Sequence, residues 1–216
     1  MTIYKALALS AFLVFARAQL AGAQCAPACG PCEVCDTGTN TCVVPTSLGC
    51  QAAFSTKSTV TIQKGLVASK DIITWKWASS AAITNQDYGN PLDATDLTLC
   101  VHDNAGGAPH LLVSSTAPHK SLCHLGSCWI VGSFGWRYID KSAENSGLLK
   151  MLLKPGVARQ AKINVKGDGY KLNLQPPAYT TPVTVRLLRS DSPLCWEATF
   201  TDPIKNLPTK FKARSQ

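Results

Sequence analysis

The chain is short of acid and of large apolar runs: its 216 residues carry 13 Asp and Glu against 21 Lys and Arg, with four His, five Trp and two Met. Glycoside hydrolysis needs two carboxyl groups at a set separation, and no acidic pair stands out by position. A G-x-S-x-G nucleophile elbow is missing, as are the H-x-H and H-E-x-x-H spacings that favour zinc. No stretch reaches the roughly twenty apolar residues that cross a bilayer as a helix. The absences turn the reading away from a hydrolase or a membrane protein, and toward a chain whose chemistry is binding.

The amino terminus carries an export signal. Lys5 precedes the apolar run 6–16, and the small residues Ala21-Gly22-Ala23 follow, which is the order of a cleavable signal peptide. Residues 1–23 are therefore read as that signal, cut after Ala23, with Ala16-Arg17-Ala18 offering an earlier cut after Ala18. Gln24 stands where a lipoprotein needs a small residue before its cysteine. The expected destination is the outside of the cell, its surface or the periplasm. Without Lys5 and Arg17 the balance is 19 basic to 13 acidic residues, a net of +6. The lysines read as solvated charges on the outer faces of strands, with a site for anionic polysaccharide or an anionic cell surface as the alternative, and no nucleic-acid partner is expected.

Ten cysteines follow the signal, in two densities. Six of them, Cys25, Cys29, Cys32, Cys35, Cys42 and Cys50, crowd into residues 24–52, a segment whose large apolar residues are few. So small a unit cannot bury a core and depends on cross-links. Export makes disulfides the expected chemistry and weighs against a zinc site, which the C-x-x-C-x-x-C spacing of Cys29, Cys32 and Cys35 resembles but which needs reduced thiolates. Three bridges within the segment are expected, and spacing alone leaves fifteen pairings open. The unit is similar in density and size to EGF-like and knottin-like modules.

From residue 53 to 201 the pattern changes to short runs of alternating apolar and polar residues. Residues 59–63, 72–77, 97–102, 110–114, 148–153, 183–189 and 195–200 read as strands. Ala161, Ile163 and Val165 alternate with lysines up to Gly167-Asp168-Gly169, and Tyr170, Leu172 and Leu174 alternate after it, which predicts a hairpin. The fold class is thus mostly β, an antiparallel β-sandwich preceded by a small disulfide-rich module. Residues 202–216, with Lys205, Lys210, Lys212 and Arg214, read as a basic flexible tail. Strand phase puts Cys100 and Cys195 on the polar side of their strands. The expected pairs are Cys100 with Cys195 and, in a tight local loop, Cys123 with Cys128, with two crossed pairings still open.

The strings TDLTLCVHDNAGG, SCWIVGS, LLKPGVARQAKINVKGDG and PVTVRLLRSDSPLCWEATF, spanning about residues 93–201, resemble a family of secreted two-disulfide β-domains of environmental bacteria. The resemblance includes all four later cysteines. It implies an exported, disulfide-bonded module that occurs alone or beside other extracellular domains, and it implies no activity.

Candidate function rests on three groups. Phe134, Trp136, Arg137 and Tyr138 would form a ligand face if exposed, since flat rings stack on sugars; Trp75 and Trp77 are a second such pair. Asp87, Asn90, Asp93 and Asp96 lie in one loop and are candidate calcium ligands, competing with ordinary turn roles. His102, His110, His119 and His124 are the only material for a catalytic base. The expected function is a non-catalytic binding or cell-surface protein with a glycan or protein partner. A hydrolase using the histidine-rich stretch, or a structural envelope component, is the alternative.

Overall fold

A computed structural model describes residues 25–123 and 126–216. The expected signal peptide and His124 lie outside the described residues. Among the described residues, seventeen strands form. They are β1 (Val34–Asp36), β2 (Thr41–Val43), β3 (Gln51–Ala52), β4 (Thr59–Gln63), β5 (Ile72–Ala78) and β6 (Leu97–Asp103). Next come β7 (His110–Ala117), β8 (Leu122–Cys123), β9 (Gly126–Ser127), β10 (Trp129–Gly132), β11 (Gly135–Ile139) and β12 (Leu148–Lys154). The last are β13 (Lys162–Asp168), β14 (Val183–Arg189), β15 (Cys195–Phe200), β16 (Pro203–Leu207) and β17 (Lys210–Arg214).

Two sheets pack face to face. One has eight strands in the order β10-β11-β12-β13-β5-β4-β17-β16, and the other five, in the order β3-β15-β14-β6-β7. Alternation sends Trp75 and Trp77 of β5, Ile163 and Val165 of β13, and Trp136 and Tyr138 of β11 into the core. The same core takes Leu97 and Leu99 of β6, Val185 and Leu187 of β14, and Trp196 and Phe200 of β15. A buried indole N–H usually finds an acceptor, though those of Trp136 and Trp196 have none among the described residues. Trp75 donates to Ser58 Oγ at 3.0 Å, and Trp77 donates across the sandwich to the Glu197 carbonyl at 3.0 Å.

Two expectations fail at the level of strand pairing. The hairpin around Gly167-Asp168-Gly169 does not form, because β13 is already paired on one edge with β12 and on the other with β5. With no free edge to join, the chain after Gly169 makes a short 3-10 turn, Tyr170–Leu172, that still buries Leu172. Nor are residues 202–216 a flexible tail. β17 inserts between β4 and β16, and Phe211 and Ala213 reach the core while Lys210, Lys212 and Arg214 face outward. The alternation K-F-K-A-R was the signal.

The cysteine pairing is also corrected. Cys25 joins Cys35 and Cys29 joins Cys42, but Cys32 is bonded to Cys100 and Cys50 to Cys195. Cys123 joins Cys128. A bridge from Cys100 to Cys195 is ruled out by topology: β14 lies between β6 and β15, with Arg186 opposite both Cys100 and Glu197. Two strand spacings are about 10 Å, beyond the Cα separation a disulfide spans. Both cysteines do sit on the outer face, where they receive the amino-terminal segment instead. That segment is therefore fastened over the five-stranded sheet rather than standing apart as a module with three bridges of its own.

Arg186 completes the fastening. It is 3% exposed, and its Nε donates to Glu197 Oε2 at 2.9 Å while its two terminal nitrogens donate to the carbonyls of Pro45 at 2.7 Å and Thr46 at 3.0 Å. Every residue of β6 is buried as a result, one face by the core and the other beneath the segment.

Candidate functional site

The aromatic ligand face predicted from sequence is largely core. Trp136 and Tyr138 point inward and are buried, with the Tyr138 hydroxyl pushed well above its usual range by burial. Phe134 stays half-buried at the β10–β11 turn, and the exposed Arg137 guanidinium lies over its ring, 4.8 Å from the centroid. Gly135 makes that turn: its φ is +96°, and a Cβ there would strike the Leu153 carbonyl oxygen. Trp75 and Trp77 are core as well, so no stacking platform of tryptophans exists on the described surface.

Nor does the loop before β6 gather its oxygens. Asp87 accepts from the Thr84 amide and hydroxyl, Asn90 from the Leu92 amide, Asp93 pairs with Lys120 at 2.9 Å, and Asp96 accepts from His119. Each is engaged in turn or pair chemistry of its own, and these residues form no convergent cation site. Among the described residues the one cluster of metal-ligating types is Cys25, Cys29 and Cys42, whose sulfurs are all in disulfides.

The histidines separate. His119 Nδ1 lies 2.6 Å from Asp96 Oδ1, and His110 Nδ1 lies 3.3 Å from Asp103 Oδ1 at the edge of an open cleft of about 910 Å³ between residues 42–47 and 105–111. These are acid-oriented imidazoles, and among the described residues neither receives a hydrogen bond from a serine or threonine hydroxyl.

His102 is buried, and its Nδ1 finds no partner among the described residues. Burial, reinforced by the Arg186 guanidinium and opposed by Asp103, pushes its pKa from 6.5 down to about 4. The unfolded chain then binds a proton near 6.5 and the folded chain only near 4, so stability is withdrawn as pH falls through that window, by roughly 3 kcal/mol in full. Thermal melts from pH 7 to 4 should show wild type losing more stability than His102→Gln; equal losses would contradict this assignment.

The feature that sequence reading missed is the outer face of the eight-stranded sheet. It carries Lys76, Arg137, Lys150, Lys154, Lys162, Lys166, Lys205, Lys210, Lys212 and Arg214, all exposed except the half-buried Lys210. The only acid in any strand of that sheet is Asp168. The seven ion pairs of the described residues use Lys64, Lys120, Lys171, Arg186, Arg189 and two histidines, none of them on this face. Ten like charges are thus held on one surface with Asp168 the single carboxylate among its strands, and none of the ten forms an ion pair among the described residues.

Register arranges them in rows that cross the strands. One row runs Arg137, Leu152, Asn164, Lys76, Thr59, Arg214. The next, two residues along each strand, runs Ile139, Lys150, Lys166, Thr74, Thr61, Lys212, Lys205. Strand spacing makes the longer row about 29 Å, with about 7 Å between the rows. The lysine alternation of each strand is visible in sequence. Their assembly is not, because it depends on β17 joining β4 and β13 joining β5.

Comparison with family models, with characterised proteins and with solved structures finds no match for this chain.

Proposed function

We propose that this is an exported, non-catalytic binding protein that engages an anionic partner at or outside the cell surface through the outer face of its eight-stranded sheet. The single observation that carries the reading is the set of ten basic side chains gathered there with no ion-pair partner. A like-charge surface of this kind raises the free energy of the isolated protein and is relieved by an anionic ligand, which it also steers in. Five disulfides suit an oxidising compartment, in keeping with the signal-like amino terminus and with the resemblance to secreted β-domains.

Binding should be governed by salt, because each neutralised anionic group releases a counterion. Immobilised dextran sulfate and polygalacturonate are expected to retain the protein at low salt, with neutral dextran as control. The triple change Lys150→Gln, Lys166→Gln, Lys212→Gln should lower affinity by about tenfold or more and flatten the salt dependence. Retention unaffected by either salt or the triple change would sink the reading.

A further inference from the structure

We infer that the ligand of this face is a linear acidic polysaccharide that lies across the strands along the two rows, a step that rests on the anionic-partner reading above. The charges fall in two groups. Arg137, Lys150 and Lys166 lie on β11 to β13, and Lys205, Lys212 and Arg214 on β16 and β17, with Lys76 of β5 between them. A chain lying along the strands would meet one group and leave the other unused. A chain crossing them meets both, over about 29 Å.

The groups between the charges choose the class of polymer. Thr59, Thr61, Thr74 and Asn164 sit half-exposed in the rows, offering hydroxyls and an amide that can donate to and accept from sugar hydroxyls. Single-stranded nucleic acid is held largely by stacking of its bases on aromatic rings, and the rings of these strands, Trp75, Trp77, Trp136, Tyr138 and Phe211, all point into the core. A bilayer surface takes an amphipathic element that sinks a contiguous set of large apolar side chains among the lipids, whereas Leu152 and Ile139 in the rows are only partly exposed and the exposed Ile130 and Leu207 stand apart on the two edge strands, β10 and β16.

The test uses the full exported chain and a ladder of sulfated oligosaccharides of defined length, read by calorimetry. Affinity should climb until the oligosaccharide spans about 29 Å, and a chain of that length should bind one to one. The pair Lys150→Gln, Lys166→Gln and the pair Lys212→Gln, Arg214→Gln should each weaken that longest oligosaccharide by about five- to tenfold, while circular dichroism and melting stay as in wild type. Affinity that levels off at a short length with two chains bound per protein would overturn the crossing geometry while leaving the anionic-partner reading standing. Tighter capture of single-stranded DNA, or of phosphatidylserine vesicles, at matched charge would overturn the polysaccharide. Failure of every polyanion to bind would remove the underlying reading as well.

Discussion

Replacing Cys50 and Cys195 together by alanine should lower the unfolding free energy by about 4 kcal/mol, the largest effect expected of any change that leaves the core intact. The bridge closes a loop of 145 residues, and the chain entropy it removes from the unfolded state grows with the logarithm of that length. A second bridge, Cys32 to Cys100, closes 68 residues and overlaps the first, so the amino-terminal segment stays tethered when either is lost alone. Removal of both pairs should release it and expose the outer face of β6, β14 and β15. Urea unfolding monitored by tryptophan fluorescence measures each step. The Cys25–Cys35 bridge, with a separation of 10, should cost less, and an equal cost for the two single removals would show that loop length is not what sets their contribution.

Arg186→Ala is the second large change, at about 3 kcal/mol or more. Its guanidinium satisfies the carbonyls of Pro45 and Thr46 as well as the Glu197 carboxylate. Truncation empties the buried space of the guanidinium and leaves three part-buried acceptors that water reaches only in part, so each loses a charge-assisted hydrogen bond without full compensation. Arg186→Lys should recover little, because an ammonium cannot hold three acceptors in the planar fork that arginine presents. Hydrogen exchange of residues 42–50 gives a local readout: faster exchange there, with the eight-stranded sheet unchanged, is the expected pattern. Uniform acceleration across both sheets would mean that Arg186 supports the whole sandwich rather than the segment lying on it.

The strands of the sandwich were legible because period-two alternation is a local property. Residues 59–63, 183–189 and 195–200 needed nothing but their own sequence. What failed was whatever depends on neighbours. The Gly167-Asp168-Gly169 turn looked like a hairpin because its flanks alternate, and only the occupied edges of β13 forbid it. Trp136 and Tyr138 share a face, as their spacing requires, but phase does not say which face looks inward; burial of the rings answers that. Cysteine phase correctly put Cys100 and Cys195 outside, yet could not reveal that β14 separates them. The basic surface was hidden for the same reason, its charges being spread over six strands from Lys76 to Arg214 whose order in the sheet is not their order in the chain.

Lysine acetylation with and without bound dextran sulfate, read residue by residue by mass spectrometry, tests the central claim most directly. The account predicts protection of Lys76, Lys150, Lys166, Lys205 and Lys212, with Lys57, Lys70 and Lys141 modified as fast as in the free protein. Equal protection of all of them, or of none, would contradict a binding face on the eight-stranded sheet.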